Sequence, residues 1–283
     1  MNVAVVGSTG YIANFLLKRF ENNKIDNLLR IDKSSLADKY LDLECADEFD
    51  YSCLRDTDYV IFTAAISSPD ICADKYEFSW NINVKGTSYF IEHSIQAGCK
   101  VLFFSSDAVY GDIPGMVYNE ISETNAETSY GIMKKKVEDT FRNNVNFKAI
   151  RLSYVVSKRD KFVSYCLKCM KDKKEADIYH PFYRNCIVVS DVVDVVEWLC
   201  LHWEEYNPWV LNVAGEELVS RVRIADELNR IFNNRLSYKI SLPNESFYKN
   251  RPPITQMRSI YLQEYGILRH ENFTEKIKRE MEE

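Results

Sequence analysis

The sequence predicts an α/β chain, a doubly wound parallel sheet followed by a small C-terminal lobe. Three observations carry this. Short apolar runs alternate with helically spaced amphipathic stretches through the first half. A glycine-rich turn joins the first run to the first amphipathic stretch. Beyond about residue 154 the alternation weakens.

The elements follow in order. Asn2–Val6 is an apolar run that stops at Gly7, and Tyr11–Phe20 follows with helical spacing. Asn27–Ile31 is a second strand, ending at Asp32, and Tyr59–Thr63 is a third. Phe78–Ala97 reads as one long amphipathic helix, Lys100–Phe104 as a fourth strand, Ser129–Asn143 as a helix and Phe147–Leu152 as a further strand. Strand–helix–strand units cross over right-handedly, which gives the doubly wound sheet. Val155–Asp160 is turn-like, Ile187–Val189 a short strand and Asp191–Trp203 a helix. Val210–Val213 is a short strand, Arg221–Phe232 a helix and Pro243–Pro253 a loop. The expected division is residues 1–154 as the sheet domain, its sheet completed by a segment at about 186–204, with 155–283 as the small lobe.

Composition excludes several classes. An apolar share of 46% over 283 residues supports a sizeable core. The net charge of −6 gives no electrostatic reason to expect a nucleic-acid partner. No run of 18 apolar residues occurs, so no membrane partner is expected, and the N-terminus enters a strand without the basic region of a signal peptide. A cytoplasmic chain follows, with its eight scattered cysteines reduced and mostly buried. Cys166 and Cys169 form a C-x-x-C with no second pair nearby, and His93, His180, His202 and His270 lack ligand spacing, so no metal is expected.

Gly7, Gly10 and Ala13 give G-x-x-G-x-x-A between a strand and a helix. A tight turn at Gly7 and a close approach at Gly10 let backbone N–H groups and the helix N-terminus face a pyrophosphate. Asp32 ends the next strand, where a carboxylate can accept from both ribose hydroxyls and repels a 2′-phosphate. The pattern implies NAD or NADP in a Rossmann-type domain. Asp32 favours NAD, while the adjacent Lys33 can accommodate a 2′-phosphate.

Tyr130 and Lys134 stand at i, i+4 on a predicted helix, so their side chains share a face. A lysine ammonium beside a phenol lowers the tyrosine pKa, which suits Tyr130 to acid/base work. Upstream, a strand ends in Ser105-Ser106-Asp107 at the sheet edge where ligands bind, and Ser106 can hold a substrate oxygen that Tyr130 protonates.

Together these residues resemble the extended short-chain dehydrogenase/reductase family of nucleotide-sugar epimerases, dehydratases and reductases. Asp42-Leu43 resembles its adenine-side motif, Thr63-Ala64-Ala65 the segment flanking the cofactor, and Asn83-Val84-Lys85-Gly86-Thr87 its N-V-x-G-T. Ser106, Tyr130 and Lys134 match its catalytic triad, and Arg184 to Asp191 its R-D-x-x-x-V-x-D segment. The resemblance implies cofactor contacts at Gly7, Thr9, Gly10, Tyr11, Ile12, Asp32, Asp42, Leu43, Ala64, Ala65, Asn83 and Ser105, besides Tyr130 and Lys134. It implies substrate contacts at Ser67, Asp107, Arg184 and Arg251, the arginines on the diphosphate of a nucleotide-diphosphate sugar, with Tyr179, Phe182 and Tyr183 available for stacking or for the core. A homodimer is common in the family.

Within the family, Pro69-Asp70-Ile71-Cys72, Ser105-Ser106-Asp107, Arg151-Leu152-Ser153, Lys161-Phe162-Val163 and Arg251-Pro252-Pro253 with Thr255 and Met257 resemble the dTDP-4-dehydrorhamnose reductase branch. Ala108 and Val109-Tyr110-Gly111 look more like epimerase sequences. Ala108 replaces the glutamate that dehydratases carry there, which argues against dehydration. The resemblance thus implies reduction of a 4-keto sugar. A 4-epimerase with tightly held NAD and a non-catalytic regulatory subunit are the alternatives.

Overall fold

The computed structural model describes residues 1–282. The chain forms two compact units. The first comprises Met1–Gly111, Glu123–Arg151 and Glu197–Leu211, the second Asp112–Ser122, Leu152–Val196 and Asn212–Glu283.

The first unit is built on one seven-stranded sheet: β1 (Asn2–Val6), β2 (Asn27–Asp32), β3 (Lys39–Tyr40), β4 (Tyr59–Phe62), β5 (Lys100–Ser106), β6 (Phe147–Leu152) and β7 (Val210–Val213). Their order is β7-β6-β5-β4-β1-β2-β3. β1 pairs in parallel with β2 and β4, β2 with β3, and β4 with β5. The inner strands β1, β4 and β5 are buried along most of their length because helices cover both faces of such a sheet; Val3–Val6, Val60–Phe62 and Val101–Phe104 are all buried. Strand order reverses between β1 and β4. The carboxyl ends of those two strands therefore open a crevice, the place where doubly wound sheets bind ligands.

The α-helices lying wholly in this unit are α1 (Tyr11–Asn22), α2 (Pro69–Asp74), α3 (Tyr76–Trp80), α4 (Thr87–Gln96) and α5 (Ser129–Phe141). The single helix expected over 78–97 is interrupted. A π-helical turn, Asn81–Gly86, separates α3 from α4. The interruption has a packing cause at Gly86, where a Cβ would stand 1.8 Å from the Leu43 carbonyl oxygen. The wider turn brings this backbone against Leu43 and turns Asn83 inward, as π turns do where a helix must re-aim side chains.

In the second unit, Val219–Ser220, Tyr183–Arg184, Ile254–Met257 and Val117–Tyr118 form a four-stranded sheet in that order. Two small sheets pair Ile187–Val188 with Val155–Val156 and Tyr238–Ser241 with Ala176–Tyr179. The segment at about 186–204 thus does not supply the last strand of the main sheet. That strand is β7, whose four residues are all buried, as a strand covered on both faces requires. Helices α6 (Lys161–Asp172), α7 (Val189–Leu201), α8 (Arg221–Ile231), α9 (Glu245–Tyr248), α10 (Tyr261–Glu264) and α11 (Phe273–Glu282) complete the chain, α7 running on into the first unit's sequence. Glu245–Tyr248 is helical where a loop was expected, because Asn244 caps it by accepting from the Phe247 N–H. Asp191 receives Lys276 Nζ at 2.7 Å and Arg279 at 2.6 Å, which fastens α11. Cys166 and Cys169 lie in the apolar core with Phe162, Ile224, Leu228 and Ile277, and burial pushes the Cys166 thiol up to about 12. No described helix is long and apolar enough to cross a membrane.

Candidate active site

The glycine-rich turn ends β1 and meets the end of β4. Gly7 has φ +80°, and a Cβ there would lie 2.8 Å from the Ala64 backbone. Any side chain would close the crevice, so glycine is required twice over. Gly10 donates to the Gly7 carbonyl at 2.9 Å and leads into the first turn of α1, where Tyr11 and Ile12 stand. Thr9 donates to Asp32 Oδ2 through both its N–H and its hydroxyl, each at 2.9 Å. Asp32 is thereby fixed at the edge of a cleft of about 320 Å³ lined by Gly7, Asp32, Lys33, Asp42, Leu43, Glu44, Ala64, Ala65 and Ile66, among others.

Lys33, on that lining, pairs with Asp42 at 2.6 Å and lies 3.6 Å from Glu44. The Asp42 carboxylate holds the Lys33 ammonium above its ordinary pKa. The charge left open for a 2′-phosphate by the sequence is therefore shared with two carboxylates. Asn83 does not line this cleft. Its Oδ1 accepts from the Ile66 N–H at 2.8 Å and its Nδ2 donates to the Ile66 carbonyl at 3.0 Å, so it pins the loop after β4.

The catalytic candidates come from β5 and α5. Ser106 donates to Asp107 Oδ1 at 3.0 Å and accepts from the Ala108 N–H at 3.2 Å. The hydroxyl of Ser105, one residue before, is buried with no hydrogen-bond partner among the described residues. Helix α5 starts on Thr128, whose hydroxyl accepts from the Gly131 N–H. Gly131, which stands inside the Tyr130/Lys134 spacing, is what seats the helix. A Cβ there would lie 2.1 Å from the Ala108 carbonyl oxygen, so only glycine lets α5 reach the Ser106 turn. Lys134 is buried and donates to the Phe104 carbonyl at 2.7 Å, its Nζ 4.5 Å from the Phe103 ring centre and 5.8 Å from that of Tyr130. Tyr130 packs with Ile66, Cys72, Val84 and Met133, and Ile66 also lines the cleft.

Electrostatics at this pair differ from the sequence expectation. Burial pushes the Tyr130 phenol up, helped by Cys72 and Asp107, rather than Lys134 drawing it down. Burial also brings Lys134 down to about 7, against the opposing pull of Glu138. A desolvated lysine whose ammonium is tied to a carbonyl does not offset the effect of burial on the phenol. One turn further along α5, Glu138 forms a buried ion pair with Arg151 at 2.6 Å, and Arg151 donates to Tyr110 Oη at 2.8 Å. Arg151, one of the branch-like residues, thus binds α5, β6 and the turn after Ser106 together.

In the second unit Arg184 is buried and committed to the backbone. It donates to the carbonyls of Tyr183 at 2.7 Å and Pro252 at 2.8 Å. Arg251 donates to the Phe247 carbonyl at 3.3 Å. Phe182 packs beneath Arg184 at 4.3 Å and Tyr179 meets Phe247 edge-on at 5.1 Å, so these rings serve packing. Ser67, in the first unit, is exposed just before the cap of α2.

The model of the NAD dependent epimerase/dehydratase family matches residues 3–214. No curated protein sequence matches the chain. Among solved structures, a dTDP-4-dehydrorhamnose reductase from Clostridium acetobutylicum is 18% identical, with a TM-score of 0.83 over 99% of this chain and 98% of that one. The dTDP-4-dehydrorhamnose reductase of Bacillus anthracis, solved with NADP, is 19% identical, with a TM-score of 0.82 over the same shares. The UDP-glucose 4-epimerase of Thermotoga maritima, solved with UDP-glucose, is 18% identical, with a TM-score of 0.80 over 100% of this chain and 98% of that one. At such identities the likeness is one of fold.

Proposed function

Because this chain belongs to the NAD dependent epimerase/dehydratase family, we propose that it uses NAD(P)H to reduce the 4-keto group of a nucleotide-linked 6-deoxy sugar. The observation that carries the reading is the seating of Tyr130 and Lys134 against the Ser106 turn by Gly131, with Ile66 joining Tyr130 to the glycine-turn cleft.

A nicotinamide dinucleotide fits these residues. The turn at Gly7 and Gly10 has no room for side chains, Ser105 carries an orphaned hydroxyl, and Asp32 is held at the cleft edge. Gly7, Thr9, Gly10, Tyr11 and Ile12 would take the pyrophosphate side, Asp32, Asp42 and Leu43 the adenosine, and Ala64, Ala65, Ser105, Tyr130 and Lys134 the nicotinamide side. Asn83 acts through Ile66. Bound there, the cofactor supplies hydride. Asp32, and the two carboxylates that share the Lys33 charge, favour NAD over NADP.

The chain supplies orientation and the proton. Tyr130 keeps its proton at neutral pH because burial disfavours the phenolate, which suits a donor to an oxygen that becomes alkoxide. Ser106 turns from Asp107 to orient that carbonyl. Lys134 stabilises the phenolate left behind, its charge then gaining an anionic partner. The substrate is a nucleotide-diphosphate sugar, and Ser67 and Asp107 are its first-unit contacts. A cytoplasmic homodimer completes the reading, with exposed Tyr89 on α4 and Ile132 on α5 as the apolar faces to be covered.

A 4-epimerase is the second reading, favoured by the Ala108–Gly111 sequence. Cofactor retained through purification, with turnover lacking added NAD(P)H, identifies it. For either reading Tyr130→Phe should lower turnover about a hundredfold or more with an unchanged melting curve. Wild-type turnover in that variant would refute both.

A further inference from the structure

Pro69-Asp70-Ile71-Cys72 is one of the branch-like motifs, yet nothing in the proposed reaction uses it. Helix α2 carries it. Ser68 caps that helix by accepting from the Ile71 N–H, and its carbonyl accepts from the Cys72 N–H at 3.0 Å. The Cys72 side chain is fully buried and packs with Ile66, Val84, Met133 and Tyr130. Its Sγ donates to the Ile66 carbonyl at 3.2 Å. Asn83 Nδ2 donates to the same carbonyl at 3.0 Å and stands 3.7 Å from both Cys72 Sγ and Met133 Sδ. A carbonyl oxygen has two lone pairs, so this one is held from two sides.

Ile66 stands between the two halves of the site. It lines the glycine-turn cleft with Ala64 and Ala65, and it packs against Tyr130. The Ala64 backbone, two residues earlier, leaves no room for a Cβ at Gly7. In so close a packing a small shift of this loop is felt at the glycine turn as well as at the phenol. A thiol suits the position. It packs as a small apolar group and still has a proton to donate. Burial raises its pKa against the opposing effects of Ser79, Lys134 and Asn83, so the proton stays on sulfur at neutral pH. A hydroxyl there would donate but fill less space, and an aliphatic chain would fill the space and donate nothing.

We propose that Cys72 is a positioning residue: its S–H···O bond to Ile66 fixes the loop after β4, and with it both the cleft lining that meets the cofactor and the surface against which the Tyr130 ring packs. The proposal rests on the cofactor reading of the cleft and on Tyr130 as proton donor. Its effect on cofactor affinity does not depend on which sugar is reduced.

Substitutions at Cys72 separate hydrogen bonding from packing. Cys72→Val fills the space without a donor, Cys72→Ser keeps a donor in less space, and Cys72→Ala does neither. Each is read by thermal melts, by fluorescence titration with NADH and NADPH, and by kcat and KM on the nucleotide-linked 4-keto sugar that wild type reduces. Stability should follow packing, with the valine variant nearest wild type. Function should follow the hydrogen bond instead. Cys72→Ser should stay within about threefold of wild type, whereas Cys72→Val and Cys72→Ala should lose about tenfold in kcat and about threefold or more in cofactor affinity, with the sugar KM unchanged. If the valine variant does not fold, serine against alanine carries the same comparison. Wild-type kcat and cofactor affinity in Cys72→Val, or losses that follow the melting order with serine below valine, overturn the proposal. Equal losses in serine and alanine overturn it too, as does a wild type that binds neither cofactor. A wild type that binds cofactor and reduces no nucleotide sugar refutes the proposed reaction alone, since weaker cofactor binding in Cys72→Val with Cys72→Ser intact still upholds the role of Cys72.

Discussion

Burial shifts the protonation of both Tyr130 and Lys134. Lys134 titrates at about 7 when folded, against an ordinary 10.5. Between those values the unfolded chain binds the extra proton, so stability rises with pH across the window and is lost as pH falls through it. Replacing Lys134 by Met removes that dependence. The wild-type unfolding free energy should therefore gain roughly 2–4 kcal/mol on Lys134→Met between about pH 7 and 10, read by urea melts. A pH-independent difference would mean that the lysine is not desolvated. At the adenosine end, Asp32→Asn should shift the NADPH-to-NADH affinity ratio toward NADPH about tenfold. Glu44→Gln, being more exposed, should shift it at most about fivefold. Fluorescence titration with both cofactors measures each ratio. The places of Gly7, Asp32 and Tyr130 at the ends of a strand or the start of a helix were legible because spacing and strand ends are written in the sequence. The backbone partners of Arg184 were not, because an arginine's partner depends on which carbonyls the fold brings beside it.

Helix α5 shows how an element places chemistry. Its i, i+4 pair was legible, but the helix is useful only where Gly131 lets it touch Ala108. Gly131→Ala should destabilise the fold by about 1–3 kcal/mol and lower turnover far more than the lost stability explains, because the helix must lift from Ser106. Thermal melts and kcat on one preparation separate the two effects. On the same helix, Glu138→Gln leaves Arg151 charged and buried, costing about 3–5 kcal/mol in urea unfolding, whereas replacing both partners by Met should cost much less. Equal losses would show that the pair is not electrostatically coupled. The broken helix at Asn81–Gly86 was missed because apolar spacing continues across a π turn. Its cause, the approach of Leu43 to Gly86, lies across a sequence gap that periodicity cannot see.

At the scale of the molecule, the alternation of strands and helices sufficed to read six of the seven strands of the sheet, because those strands are largely apolar runs, whereas the exposed edge strand Lys39–Tyr40 is two residues long and not an apolar run. The second unit was less legible. Several of its strands are only two residues long, such as Val155–Val156 and Ile187–Val188, too short for any period to register. The order of the main sheet puts Gly7 and Ala64 at one crevice, and the chemistry proposed for it is ketone reduction. That is measured most directly by mixing the enzyme with a panel of nucleotide-linked 4-keto-6-deoxy sugars and NADH or NADPH, following the loss of absorbance and identifying the product. Stoichiometric NADH oxidation with a 4-hydroxy sugar as product, absent in Tyr130→Phe, is the expected result. Conversion of a nucleotide sugar to its 4-epimer with no net NADH consumed, or no conversion of any panel member, would contradict it.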